Sequence, residues 1–234
     1  MSDFTPVKEL IKDVPGWLSD EEGEALYELA RACGGKGVIV EIGSWKGKST
    51  ICLGLGSRAG RAVRIFAVDP HAEYRHGEFK DNLERAGITD LVTPVKGLSQ
   101  EAVADFHEPI ELLFVDGSHE EDDVRDDFEQ WVPKVVDGGI VAFHDTAWHE
   151  GPRKVVAEKI FASRQFKDVR FVIGSTTVAR KVSANTIRDR LHGRRVQATK
   201  AVFAAVTTVL RRKRRWLPAP VERAGRRVFN LVGR

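Results

Sequence analysis

The sequence predicts an α/β fold built on a doubly wound, mostly parallel sheet of seven strands, with a C-terminal antiparallel hairpin and added terminal helices. Five short apolar runs alternate with segments that can form helices, and this alternation is typical of βαβ units. Two further β-rich runs flank a Gly174-Ser175 turn, which is typical of an antiparallel hairpin. With 234 residues, 42% of them hydrophobic and 30% charged, the chain is long enough to bury a full core.

The predicted elements follow one another in a regular order. Ser19 and Glu22 form a capping box ahead of apolar residues at helical spacing, so the first helix is predicted from Ser19 to Ala32. The strands of the parallel part are GVIVEIG, VRIFAVD, LVTPVK, IELLFVD and GIVAFHD, and the hairpin strands are VRFVI and TTVARKV. Helices are predicted between the strands near Ser49 to Arg58, Gly77 to Ala86, Ser99 to Phe106 and Glu121 to Trp131. The chain therefore divides into an N-terminal helical cap (1–36), a central α/β domain (37–184) and a C-terminal extension (185–234).

The C-terminal extension is predicted to form one or two basic amphipathic helices. Residues 188–234 contain fourteen Lys or Arg residues and two acidic ones, a net charge of +12, so the rest of the chain carries −9 and the whole chain +3. An apolar stripe favours packing on the core or on a second subunit, which predicts a homodimer. Peripheral contact with an anionic membrane and attraction of an anionic partner are the alternatives. The stripe consists of Val202, Phe203, Val206 and Leu210.

Cysteine use and hydropathy indicate the compartment. Cys33 and Cys52 have neither the spacing of metal ligands nor that of a disulfide framework, which is typical of a reducing environment. No secretory signal opens the chain, and no apolar run approaches the ~18 residues that suggest a membrane span. We therefore expect a cytoplasmic protein.

The stretch VEIGSWKGKST, residues 40–50, has the form of a nucleotide-binding loop but not its spacing. Only three residues separate Gly43 from Gly47, whereas a P-loop needs four to wrap its backbone N–H groups around a phosphate. Trp45 stands where a dinucleotide-binding loop has its second glycine. The loop is therefore expected to bind neither a triphosphate nor a dinucleotide.

Four acidic residues follow predicted strands, each at or near the strand's carboxyl end: Glu41, Asp69, Asp116 and Asp145. In a doubly wound sheet these ends share one rim, which is where ligands bind. Four carboxylates would repel a triphosphate, but they suit a ligand that has a cationic centre and a ribose diol. The acidic run from Glu120 to Glu129, by contrast, is expected to be only the solvated face of a helix.

The stretches VEIGSWKGKST, AVDP, VKGLSQE, FVDGSHEEDDVRDDFEQW and GGIVAFHDT together resemble the class I S-adenosylmethionine-dependent methyltransferases, whose core is Rossmann-like. More narrowly, they are similar to the metal-dependent O-methyltransferase group that includes macrocin O-methyltransferase and cephalosporin-hydroxylase-like proteins. The resemblance covers Gly37 to Lys181 and implies that 37–184 is a methyltransferase domain. It also implies a set of contacts with S-adenosylmethionine, in which Asp69 binds the ribose. The expected contacts are Glu41, Ile42, Gly43, Ser49, Asp69, Gly97, Leu98, Ser99 and Asp116.

The resemblance further implies a divalent cation and a general base. Asp116 and Asp145 are expected to hold Mg²⁺, with Mn²⁺ as the nearest alternative and His144 as a candidate third ligand. Such an ion lowers the pKa of an alcohol and orients its oxygen for attack on the donor methyl group. The base is expected to be His144 or, failing it, His119, which stands where catechol-type relatives have a catalytic lysine.

The acceptor is the least specified part of this interpretation. Trp45 and Trp148 offer flat faces to a sugar or an aromatic ring, or else belong to the core. The resemblance favours a saccharide hydroxyl on a small molecule or oligosaccharide, with polymethylated polysaccharide biosynthesis, such as that of methylmannose polysaccharide, as a candidate setting. The alternatives are a catechol-like small-aromatic methyltransferase, a donor-binding protein without turnover, and a nucleic-acid-binding protein or RNA methyltransferase. The acidic body of the chain disfavours nucleic acid.

Overall fold

The fold is a seven-stranded sheet in a computed structural model that describes residues 4–71 and 73–212. The strands lie in the order β3-β2-β1-β4-β5-β7-β6. Strands β1 to β5 pair in parallel, whereas β7 pairs antiparallel with both β5 and β6. The predicted fold class, including the closing hairpin, is thereby confirmed. The strands are β1 (Val38–Ile42), β2 (Ile65–Asp69), β3 (Val92–Lys96), β4 (Ile110–Val115), β5 (Val135–Phe143), β6 (Phe166–Val172) and β7 (Thr176–Lys181).

Helices connect the parallel strands and cover the two faces of the sheet. Two separate groups of buried apolar side chains form the core, one on each face. A 3₁₀ helix (Val132–Lys134) precedes β5, and a π-helix (Ala157–Phe161) precedes β6. The α-helices of the described residues are α1 (Thr5–Ile11), α2 (Asp20–Arg31), α3 (Lys48–Ala59), α4 (Glu73–Arg85), α5 (Ser99–Ala102), α6 (Glu121–Trp131), α7 (Glu150–Val156) and α8 (Ile187–Arg212).

Local signals in the sequence account for the best-predicted elements. Ser19 caps α2, since its hydroxyl accepts from the Glu22 N–H while the Glu22 carboxylate accepts from the Ser19 N–H. All five residues of β1 are buried, as expected for a central strand covered on both faces. Helix α3 begins directly after Gly47, whose φ of +86° falls in the left-handed region. The predicted helix at Glu121 to Trp131 has the observed bounds of α6.

The structure corrects the prediction at three places. Helix α1 and helix α7 were not expected, and α5 covers only four residues instead of extending to Phe106. Both unexpected helices have seven residues, which is too short for a clear 3.6-residue period. In α7 the pair Gly151-Pro152 also favours a loop when only the sequence is considered.

Helix α8 is a single helix of 26 residues that packs on one side against β6 and the π-helix. Its inner face contributes Val196, Phe203 and Ala204 to the apolar core. The predicted apolar stripe is divided, because Phe203 packs inward while Val202 and Val206 are exposed. The proposed second helix of the extension lies outside the described residues. No helix within 4–71 and 73–212 has both the length and the hydropathy that crossing a membrane requires.

Candidate active site

A cleft of about 1430 Å³ opens at the carboxyl ends of the parallel strands. Its walls include the loops that follow β1, β2, β3, β4 and β5, together with residues 16–19, which precede α2, and Glu22 of α2. Every sequence-predicted site residue except Glu41 lines this cleft. The lining members of that set are Ile42, Gly43, Ser49, Asp69, Gly97, Leu98, Ser99, Asp116, His119, His144 and Asp145.

Gly43 allows the loop after β1 to lie against the end of β4. Its φ is +87°, and a Cβ atom at this position would lie 2.1 Å from the carbonyl oxygen of Asp116. Any side chain here would therefore push the two strand ends apart. The short loop therefore brings the backbone after β1 close to the backbone after β4. Within this loop, Trp45 has a left-handed conformation at φ +41°.

Asp69, the expected ribose ligand, is held firmly at the end of β2. Its carboxylate accepts from the backbone N–H of Trp45 at 2.9 Å and from that of His71 at 2.8 Å. These two bonds fix the side chain between the loops after β1 and β2. A carboxylate in this position can accept from hydroxyls on the cleft side.

Glu41 lies behind the cleft wall, which differs from the direct position expected for it. The carboxylate is fully buried and accepts from the hydroxyls of Ser49 and Thr50, both at 2.5 Å. Burial raises its pKa to about 7, although the two hydroxyl bonds oppose this shift. Glu41 therefore contacts the cleft through Ser49, which does line it.

Asp116, His144 and Asp145 converge at the centre of the cleft. Nδ1 of His144 lies 2.9 Å from Oδ1 of Asp116 and 3.5 Å from Oδ2 of Asp145. His144 and Asp145 both reach the cleft although they are consecutive in the chain. The reason is that Asp145 has φ +56°, and this left-handed conformation bends the chain after β5. One ligand atom from each of the three side chains lies within 4.8 Å of the others, so together they could hold a metal ion.

Carboxylates surround the His144 ring on both of its nitrogen atoms. Nε2 lies 3.2 Å from Oε1 of Glu22, and the side chain is only 4% exposed. Burial by itself lowers the pKa of His144, but its contacts with Asp116, Asp145 and Glu22 outweigh burial and raise the pKa to about 12. Neither ring nitrogen has a hydrogen bond of good geometry within the described part of the chain. The ring is therefore held by charge more than by well-aligned hydrogen bonds.

Glu22 joins this cluster to the N-terminal cap and to the β6–β7 hairpin. Its Oε1 accepts from the Ser175 N–H at 2.6 Å and from the Thr176 hydroxyl at 2.8 Å. A Cβ atom on Gly174, at φ +130°, would lie 2.2 Å from the Glu22 carboxylate, so the turn needs a glycine there. The sequence identified Glu22 only as part of a helix cap, because no local sequence pattern indicates contacts with residues as distant along the chain as Ser175 and Thr176.

His119 is the accessible histidine of the cleft. Its Nε2 lies 2.9 Å from Oδ2 of Asp145, and its ring stacks on His149 with 3.9 Å between centroids. The side chain is 42% exposed, ten times as much as that of His144. His119, Asp145 and His149 form a second group that could hold a metal ion, and it shares Asp145 with the first.

Asp127 corrects the expectation that the acidic run is only a solvated face. Helix α6 does bury Val124 and Trp131, but Asp127 is also buried, and with Asp123 and Asp126 it lines the cleft. Its Oδ1 accepts from the Ser99 hydroxyl at 2.5 Å. Burial, with the nearby charges of Asp123 and Asp126, raises its pKa from 3.8 to about 6.

The raised pKa of Asp127 predicts a stability change with a definite sign. Because the folded state binds this proton more tightly, stability falls as pH rises from 3.8 to about 6 and stays lower above that. We expect Asp127→Asn to raise the free energy of unfolding by about 1–3 kcal/mol near neutral pH and to remove this slope. Urea unfolding across this pH range measures it, with exposed Asp122→Asn as the matched control. A destabilised Asp127→Asn at neutral pH would contradict the expectation.

Aromatic side chains line the outer part of the cleft. Trp17 and Trp45 stack with 5.3 Å between ring centroids and 17° between ring planes, and Trp17 is 84% exposed. Trp148 lines the cleft as well, but it also packs on Phe203 and donates from Nε1 to the Thr207 hydroxyl of α8. The sequence singled out Trp45 and Trp148 but not Trp17, which the N-terminal segment brings to the cleft.

Solved structures share this fold at low sequence identity. The O-methyltransferase from Bacillus cereus, solved in complex with SAH, has a TM-score of 0.61 at 19% identity, covering 77% of this chain and 93% of that one. The O-methyltransferase TomG from Streptomyces achromogenes, involved in tomaymycin synthesis and solved in complex with SAM, has a TM-score of 0.60 at 18% identity, covering 78% and 92%. Together with the cleft at the strand ends, these neighbours define the class of protein as an α/β domain with the methyltransferase fold.

More particularly, residues 40–146 match the family model described as a methyltransferase domain. An uncharacterized protein of Sinorhizobium fredii (strain NBRC 101917 / NGR234), y4gI, is 35% identical over 124 residues, or 48% of this chain. The chain spans only 13% of the length of that relative. The match to the family model contains the loop after β1 and the His144-Asp145 pair.

Proposed function

We propose that this protein is a metal-dependent O-methyltransferase that transfers a methyl group from S-adenosylmethionine to a saccharide hydroxyl. The observation that carries the proposal is one cleft that contains both a ribose-type carboxylate, Asp69, and the cluster of Asp116, His144 and Asp145. The first can hold the donor, and the second has the chemistry that activates an oxygen nucleophile.

Donor binding is assigned to the loops after β1, β2 and β3. Asp69 accepts from the ribose hydroxyls, and Ser99 lies at the adenine end beside buried Asp127. Gly43, Ser49 and Asp116 surround the methionine part, and the negative charge of the rim favours a sulfonium centre. The acidic lining also supports an uncharged acceptor over nucleic acid, whose phosphates it would repel.

The chemistry of Asp116, His144 and Asp145 fits a divalent cation. Two carboxylates offer hard oxygen ligands, and Nδ1 of His144, which faces both of them, would become a third ligand once the cation displaces its proton. Mg²⁺ is the first choice for this oxygen-rich set, and Mn²⁺ the second. When bound, the ion supplies a lowered alcohol pKa and a fixed orientation of the acceptor oxygen. Glu22 would hold the far side of the His144 ring, as partners of metal-bound histidines do.

The geometry favours His119 over His144 as the proton acceptor. His144 is enclosed by three carboxylates and its raised pKa keeps it protonated, whereas His119 is open to the cleft. Nε2 of His119 faces Asp145, so Nδ1 would take the proton of the acceptor hydroxyl. The hydroxyl oxygen then forms a bond with the methyl carbon as the C–S bond of the donor breaks, and S-adenosylhomocysteine leaves.

The stacked pair of Trp17 and Trp45 supports a sugar acceptor. One face of a sugar ring consists of C–H groups that pack on an aromatic ring while the hydroxyls stay hydrated. Trp17 keeps most of its surface in solvent, which suits an acceptor that extends out of the cleft. A small aromatic acceptor is the alternative, since the same indole rings can stack with it.

We expect the protein to bind S-adenosylmethionine and S-adenosylhomocysteine but neither ATP nor NAD. The loop after β1 is too short to enclose a triphosphate, and Asp69 supplies the ribose contact. Isothermal titration calorimetry measures this, and Asp69→Ala should weaken donor binding by at least about tenfold. Comparable affinity for ATP, or a donor affinity unchanged in Asp69→Ala, would refute the assignment.

Transfer of labelled methyl groups tests the reaction itself. The protein is incubated with labelled S-adenosylmethionine and a panel of saccharides, catechols and RNA, with and without EDTA. We expect labelled saccharide only, loss of activity with EDTA, and recovery when Mg²⁺ is added in excess. Full activity in EDTA would refute the metal, and labelled catechol without labelled saccharide would favour the alternative.

A further inference from the structure

Helix α8 exposes a set of large apolar side chains that the core does not use. Seven large apolar side chains are exposed within the described residues: Trp17 and Leu98 line the cleft, and the other five lie on α8. The five side chains on α8 are between 49% and 65% exposed. We call these five residues the outer stripe of α8. They are Ile187, Leu191, Val202, Val206 and Val209.

The outer stripe lies on one side of the helix. Its successive spacings of four, eleven, four and three residues are each close to a whole number of 3.6-residue turns. Exposed Ala198 and Ala205 fall on the same side and fill the gaps between the larger side chains. The inner side is different, since buried Val196 and Lys200 lie there and Phe203 packs on the core. Helix α8 is therefore anchored to the domain by one face and presents a second face, whose apolar side chains extend over about 33 Å, to the outside.

Basic side chains accompany the outer stripe. Arg188, Arg190, Arg194 and Arg195 lie on the first third of α8, and none of them has an ion pair within the part of the chain that the structure describes. The only acidic residue of α8 is Asp189, which caps the start of the helix through Thr186. The sequence adds five consecutive basic residues at 211–215. Both ends of the outer stripe are therefore strongly positive.

We propose that the outer stripe of α8 is a docking surface for an anionic lipid membrane, on which the helix lies parallel to the surface. Apolar side chains flanked by arginines are the composition of a helix that binds at the interface between headgroups and acyl chains. Anionic headgroups complement the arginines, and each basic residue near such a surface strengthens binding about fivefold. A second copy fits this surface less well, since it would bring the same arginines together at either end. Nucleic acid would satisfy the arginines but leave the apolar stripe in water.

Vesicle co-sedimentation of the full chain tests the proposal without any donor or acceptor. We expect binding to vesicles of phosphatidylglycerol and phosphatidylcholine, little binding to phosphatidylcholine alone, and partial release at high salt. The stripe variant carries Val202→Glu, Val206→Glu and Val209→Glu. Its matched control carries Gln197→Glu, Ala201→Glu and Thr208→Glu, which change the charge equally at positions beside the stripe.

We expect the stripe variant to lose at least about tenfold in vesicle binding and the control to lose clearly less, because only the stripe variant removes apolar contact. Circular dichroism establishes that both variants keep the helix content of the parent chain. Equal losses in the two variants would overturn the proposal, as would no binding to the anionic vesicles. Sedimentation equilibrium measures the oligomeric state of the parent chain and of the stripe variant. A parent dimer that the stripe variant dissociates, with vesicle binding unchanged, would assign the surface to a second copy and overturn the proposal.

Discussion

Replacing His119 by alanine is expected to lower kcat for methyl transfer by roughly 10²- to 10⁴-fold, the usual contribution of a general base, while donor affinity stays nearly intact. The reason is the position of the side chain, which is open to the cleft and oriented by Asp145 at 2.9 Å. Steady-state kinetics with saturating donor, acceptor and Mg²⁺ measure the change.

Two further histidine variants separate proton transfer from metal binding. His144→Ala should raise the Mg²⁺ concentration that the reaction requires, since the ring contacts Asp116 and Asp145 and is the proposed third ligand. His107→Ala changes an exposed histidine that does not line the cleft, so both kcat and the Mg²⁺ requirement should stay as they are. A loss below about threefold in His119→Ala would show that water, a carboxylate or the metal handles the proton instead.

The second large effect is expected at Glu22, whose replacement by alanine should lower the free energy of unfolding by roughly 3–5 kcal/mol. The change removes a buried charge and one of the three carboxylates around His144, and it leaves the Ser175 N–H and the Thr176 hydroxyl without their acceptor. It also removes half of the capping box of α2. Chemical denaturation measures the loss, and Glu24→Ala, at an exposed position of the same helix, should change stability by less than about 0.5 kcal/mol.

Glu22→Gln distinguishes the structural role of Glu22 from its role in the site. Glutamine keeps an oxygen that can accept from Ser175 and Thr176, so much of the stability should return. It lacks the charge beside His144, so Mg²⁺ affinity measured by calorimetry should stay about 10- to 100-fold weaker than in the parent chain. Parental Mg²⁺ affinity in Glu22→Gln would limit Glu22 to a structural role.

The sheet could be predicted because its signals are local. Apolar runs that end in an acidic residue, such as those ending at Asp69 and Asp116, reveal both a buried strand and its carboxyl end. The hairpin had a glycine turn between two β-rich runs. The short helices α1 and α7 gave no comparable signal, because they owe their stability to packing against neighbouring elements more than to their own periodicity.

The centre of the site was predictable to the extent that it lies on the strand ends. Asp116, His144 and Asp145 come from β4 and β5, whose ends must share one rim in a parallel sheet. Glu22 and Trp17 come from the N-terminal cap, and only the packing of that cap across the sheet brings them to the cleft. Asp127 was missed for another reason. The charge pattern of α6 does not reveal which of its acidic residues contacts the segment after β3, as Asp127 does through the Ser99 hydroxyl.

The contacts between Glu22 and the hairpin also have a consequence for synthesis on the ribosome. Ser175 and Thr176 follow Glu22 by 153 and 154 residues, so these bonds close a loop of about two thirds of the chain. In a nascent chain that lacks the hairpin, the Glu22 carboxylate has lost its donors from Ser175 and Thr176. Strand β5 then also has an unpaired edge. Closing so long a loop costs entropy before any contact compensates for it, and native pairings between distant residues fold slowly. The cleft is therefore expected to be among the last parts to form, after translation has passed β7, and unfinished chains would need protection until then.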